Sequence, residues 1–115
     1  MLIILPVETI PSGTRSILWA VGITTKPLQR QLENGLAVQL PDKTRFPETK
    51  SGLDEPSWAI ADWVVEMNPC QTTKQAGFVS ADLVIHIQRL IRENRIRPVS
   101  MLCDPAYGDS CHYCR

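Results

Sequence analysis

The stretch from Pro56 to Met67 (PSWAIADWVVEM) constrains the fold most, because Asp62 and Glu66 are its only charged positions. Ile60, Trp63, Val64 and Met67 fall at i, i+3, i+4 and i+7, and Trp58, Ala61 and Val65 form a second apolar row. Pro56 suits a first helical turn, where a missing N–H costs nothing, and Asn68-Pro69 supplies a stop. The spacing predicts a helix that is apolar on two sides and needs partners on both. Such a helix is either buried at the centre of its own domain or docks a second chain through Trp58 and Val65. Tryptophan favours the second use, being enriched at interface hot spots. Asp62 and Glu66 have the spacing of a carboxylate dyad, but it is equally that of a solvated acidic face, which is the expectation here.

A second helix is expected from Ser80, a good N-cap, with Asp82 in its first turn. Leu83, Val84, Ile87, Leu90 and Ile91 make its core stripe, and Asp82, His86, Arg89 and Glu93 stack as a solvated ladder. Elsewhere the pattern is weaker. Short strands are expected at Met1–Leu5, Leu36–Leu40 and Val99–Leu102, with a surface loop over residues 41–52. Lys26–Glu33 suits a short helix closed by Asn34-Gly35. Ser16–Ile23 is an apolar run whose length does not separate strand from buried helix.

These elements predict a small α+β domain spanning residues 1–115, with two main helices, a short sheet and a C-terminal cysteine knuckle. Residues 1–52 form its strand and short-helix region, 53–97 its two-helix region and 98–115 its cysteine-rich tail. A hydrophobic fraction of 43% with 21% charged residues argues for a globular chain over a disordered one. Twelve basic and twelve acidic residues cancel. The cancellation is uneven: residues 1–50 carry +2, residues 51–80 carry −3, and residues 81–115 carry +1. Separate patches of both signs suit a complementary protein surface. The N-terminus lacks the basic start and long apolar run of a signal peptide, and no window approaches a membrane span. A cytoplasmic protein with no membrane role is expected.

In that compartment four cysteines point to thiols or metal ligands before disulfides. Cys111 and Cys114 have the C-x2-C spacing with which two thiolates grip one zinc from a tight turn. Cys103 can return across Pro105 and Gly108 as a third sulfur, and Cys70 is the fourth cysteine. The expected structural zinc set is therefore Cys70, Cys103, Cys111 and Cys114, with His112 or His86 as a substitute ligand. Reduced thiols and a disulfide remain the other states open to these residues.

No phosphate-binding loop, nucleophile elbow or H-E-x-x-H pattern is present, so a non-enzymatic protein is expected. Ser16–Gly35 (SILWAVGITTKPLQRQLENG) resembles a helix-turn-helix, with Gly22 at the turn and Leu28 and Leu32 packing inward. It is similar to small winged-helix excisionase-type proteins. That resemblance implies that Thr25, Lys26, Gln29 and Arg30 face the major groove, with Lys43 and Arg45 on a wing beside phosphate. Two functions follow. The leading one is a zinc-stabilised interaction or regulatory protein acting through protein contacts, a homodimer included, of the kind found among phage and mobile-element inhibitors or adaptors. The alternative is a winged-helix DNA-binding regulator.

Overall fold

In the computed structural model of the protein, which describes residues 3–12, 15–69 and 75–101, the apolar stretch before Asn68 is a strand. In chain order the elements are β1 (Ile4–Ser12), β2 (Arg15–Thr24), α1 (Gln29–Glu33), β3 (Ala37–Leu40), β4 (Ser57–Met67), α2 (Ala81–Glu93) and β5 (Val99–Ser100). They form one sheet in the order β1-β2-β4-β3, curled into a half-barrel, with β5 parallel to β4 beyond the end of β3.

The expectation of two main helices is thereby corrected. The molecule is mostly sheet, and among the described residues α2 is the one helix of seven or more residues. The physical reason lies in β4. It is a central strand, paired with β2 on one side and with β3 and then β5 on the other. Both of its faces are covered, so its sequence is nearly continuous apolar residue, as a two-sided helix would be. Its pairing also slips: Val21 lies opposite Val64, but Gly22 lies opposite Ile60. Ala61, Asp62 and Trp63 are therefore extra on β4, a three-residue bulge that breaks strict alternation. That break produces the helix-like spacing of Ile60, Trp63, Val64 and Met67.

The helix-turn-helix is corrected as well. Its proposed first helix is β2, a ten-residue strand, and its second is the five-residue α1. Ile17, Trp19, Val21 and Ile23 alternate along β2 and suit a strand packed on both faces. By contrast α2 forms where expected. Ser80 has extended backbone, and its hydroxyl accepts from the Leu83 N–H at 3.4 Å. The two helix ends differ: Gly35 follows α1 with φ +69°, whereas Arg95 follows α2 with φ +52°.

Two apolar layers lie against the sheet. On the inner face Ile87 and Ile91 of α2 pack with Val7, Val21, Val38, Leu40, Ala59 and Val64. Ile87 is fully buried. The Gln88 side-chain amide donates to the Val7 carbonyl, tying α2 to the edge strand β1. On the outer face Leu18, Ala20, Val65 and Met67 form a second cluster. Register extends that face into rows, Thr9–Leu18–Met67 and Pro6–Ala20–Val65–Val99 toward one end. Toward the other end the rows are Ile4–Gly22–Ile60–Ala37 and Thr24–Trp58–Gln39.

Candidate interaction surface

The bulge in β4 organises one end of the outer face. Asp62, held there, accepts from Arg30 Nη1 and from Gln31 Nε2, each at 2.9 Å. Gln31 is nearly buried, and its Oε1 also accepts the Leu28 N–H at 3.0 Å. The Ala61 N–H donates to the Leu36 carbonyl at 2.8 Å, so both ends of α1 are fixed to the bulge. Trp63 lies over Gly22, and a methyl group on Gly22 would sit 2.0 Å from Trp63 Cε3. Glycine is required there because the indole occupies the space of a side chain.

This clamp leaves apolar side chains in water. Leu28 just before α1 and Leu32 within it are 54% and 43% exposed, and Trp63 is 38% exposed. Trp58, on the neighbouring row of the outer face, is half-buried. Of the two partner-binding residues expected from sequence, Trp58 therefore reaches the surface. Val65 is 2% exposed and sits inside the outer cluster with Met67. The seating of Trp63 over Gly22 is not legible in the periodicity of either strand. Gly22 is the available signal, since an isolated glycine within a strand marks a bulge or a close approach.

The basic residues assigned to DNA have other surroundings. Arg30 pairs with Asp62, Lys43 with Asp54 at 3.3 Å, and Arg45 with Asp42 at 3.0 Å. Gln29 donates to Glu33 at 3.1 Å, while Thr25 and Lys26 are exposed in the turn after β2. The loop after β3 is better anchored than its polar sequence suggests. Asp42 is fully buried and accepts from the Thr44 hydroxyl and Arg45 Nε. Arg45 also donates to the Leu40 carbonyl at 2.8 Å, and Ser51 Oγ to the Pro41 carbonyl at 2.6 Å. The Thr44 hydroxyl bond holds the Asp42 carboxyl below its ordinary value of 3.8, against the opposing effect of burial and with help from Arg45.

A cleft of about 210 Å³ opens between the β1 bulge and α2, lined by Val7, Glu8, Trp19, Gln88, Ile91 and Arg92. Its lining holds charges of both signs at the rim and no nucleophile. His86 is exposed on α2. Cys70, Cys103, Cys111, Cys114 and His112 lie outside the described residues. Among the described residues no group of three or more His, Cys, Asp and Glu is placed to hold a metal ion, and no helix is long and apolar enough to cross a membrane. Compared with known proteins, the chain matches no protein-family model, no curated protein and no solved structure.

Proposed function

We propose that this chain is a non-enzymatic interaction protein that works through protein–protein contacts and is stabilised by zinc. The contact role rests on the exposed side chains Leu28, Leu32 and Trp63, carried by the α1 segment and the β4 bulge that Asp62 joins. Their backbone is held by the Asp62 clamp, so little ordering is lost on binding, and preorganised apolar anchors make efficient interface centres. The partner surface that suits them is apolar.

Zinc ligation by Cys70, Cys103, Cys111 and Cys114 is supported by strand register. Val65 pairs with Val99 and Glu66 with Ser100 in parallel, and the Met101 N–H donates to the Glu66 carbonyl at 2.6 Å. The leads into Cys70 and Cys103 thus start from neighbouring strands, about 4.8 Å apart. Bait experiments with the intact chain and with Leu28→Asp/Leu32→Asp test the contact role. A partner or second copy captured by the first and lost by the second, at equal melting temperature, supports it; equal capture by both overturns it. Native mass spectrometry before and after chelation tests the metal, and an unchanged mass removes zinc from the proposal.

A further inference from the structure

The C-terminal end of α2 and the residues just after it carry Arg89, Arg92, Arg95 and Arg97, with Glu93 as the one acid among them. All four arginines are exposed, and among the described residues none is ion-paired, whereas Arg30, Lys43 and Arg45 each hold a carboxylate. Local structure fixes where these side chains leave the surface. The Ile96 N–H donates to the Ile91 carbonyl at 3.0 Å and the Arg95 N–H to the Arg92 carbonyl at 3.2 Å. This pair of bonds closes a helix whose following residue is left-handed. Ile91 belongs to the inner core and Ile96 packs against it, so Arg95 and Arg97 flank an anchored residue. Arg95 itself stands at φ +52°, where glycine would carry no steric penalty. The helix dipole favours cations at this end, but it gives no reason to place one in the left-handed position.

The surface so formed has no apolar centre. From residue 89 to residue 97 the exposed side chains are the four arginines, Glu93 and Asn94, while Leu90, Ile91 and Ile96 turn to the core. A protein interface is centred on apolar or aromatic anchors, which this surface lacks. Single-stranded nucleic acid stacks its bases on aromatic rings, and residues 81–101 hold no Phe, Tyr or Trp. Guanidinium forks without such anchors match the oxygens of phosphate groups. We propose that Arg89, Arg92, Arg95 and Arg97 bind the phosphate backbone of duplex DNA, independently of its sequence. This function goes beyond the contact role of Leu28, Leu32 and Trp63, and it requires neither that surface nor zinc.

Fluorescence anisotropy of the intact chain with two short labelled DNA duplexes of unrelated sequence tests it. Three or four phosphate contacts predict equal affinity for the two, weakening by about 40- to 150-fold between about 50 and 200 mM salt. Arg95→Gly separates binding from folding. Relief of the left-handed backbone should raise the melting temperature, while loss of the charge should weaken binding several-fold and flatten the salt slope by about one. Arg89→Gln/Arg97→Gln, at exposed positions, should flatten the slope by about two with the circular dichroism spectrum unchanged. No binding at low salt, affinity indifferent to salt, or an equal or tighter grip on the matching single strand would each overturn the proposal. So would displacement by polyglutamate as effective as by unlabelled duplex, or an Arg95→Gly chain that binds as tightly as the original.

Discussion

Replacing Gly22 with alanine puts a methyl group where the Trp63 ring now lies. The added methyl carbon would stand 2.0 Å from Cε3 and 2.3 Å from both Cδ2 and Cζ3. The ring must retreat by about 1.5 Å or more to restore an ordinary carbon contact of ~3.5 Å. Trp63 is 38% exposed, so the seat hides about 150 Å² of its surface on the usual scale for a tryptophan. At ~25 cal/mol per Å² this amounts to roughly 3–4 kcal/mol, or about 2–3 kcal/mol against a realistically compact unfolded chain. Gly22→Ala should therefore destabilise by about 2–3 kcal/mol and lower the urea midpoint by about 1–2 M. Trp63→Ala alone should cost a similar amount. In the Trp63→Ala background, however, the alanine meets open space and should stabilise by about 0.5–1 kcal/mol, because glycine is a poor strand residue. The double-mutant cycle then gives a coupling of about 2.5–4 kcal/mol, read from far-ultraviolet circular dichroism so that the lost indole does not affect the signal. Penalties that add to within ~0.5 kcal/mol would refute the seating of Trp63 on Gly22.

Two other perturbations read out local features. The Asp42 carboxyl titrates below 3.8 in the folded chain, so the stabilisation it gives is complete above about pH 4 and is lost as pH falls through the folded-state pKa. Asp42→Asn should melt below the intact chain at pH 7, and the gap should narrow as the pH falls below the ordinary carboxylate range; a gap independent of pH would contradict this. The two helix ends invite opposite substitutions. Gly35→Ala, at φ +69° with nothing within 4 Å, should cost about 1 kcal/mol for backbone strain alone. Arg95→Gly, at φ +52°, should instead gain about 0.5–1 kcal/mol. Thermal melts of the pair that move in the same direction would show that these two positions are not governed by left-handed backbone.

Local signals are legible where a single element sets them. Ser80 followed by Leu83, Val84, Ile87 and Ile91 marks α2 because cap and stripe both lie within one helix. Asn34-Gly35 marks the end of α1 for the same reason. The strand β4 reads as a helix because its apolar density comes from neighbours on two sides and its spacing from a bulge of three residues, neither of which its own sequence reveals. Its content of Trp58, Ile60, Trp63, Val64 and Val65 favours a strand, and that preference outweighs the periodicity. At the candidate surface, Trp58 is legible as an aromatic that reaches the surface, and it is half-buried there. Asp62 reads as a solvated acid because its partners Arg30 and Gln31 are some thirty residues away in sequence. Asp42 and Ser51 are hidden for a related reason: a polar loop buries its side chains only when the segment around Ala76 and Phe78 closes on it. Gly52 approaches Ala76 there, and the Phe78 N–H donates to the Lys50 carbonyl.

The edge strand β1 has a consequence for how these molecules meet. It carries Pro6 and Pro11 along nine residues and a bulge between Pro6 and Glu8. A proline inside a paired strand turns its nitrogen away from its partner, so the open side of β1 lacks donors at both positions. The opposite edge is divided between β3, beside residues 57–60, and the two-residue β5, beside Val65 and Glu66, with the bulge of β4 between them. Neither border offers a long, straight ladder to an incoming strand, which is how natural sheets resist growth into fibrils. With backbone pairing closed at both borders, side chains on the broad faces are left to decide what this protein binds.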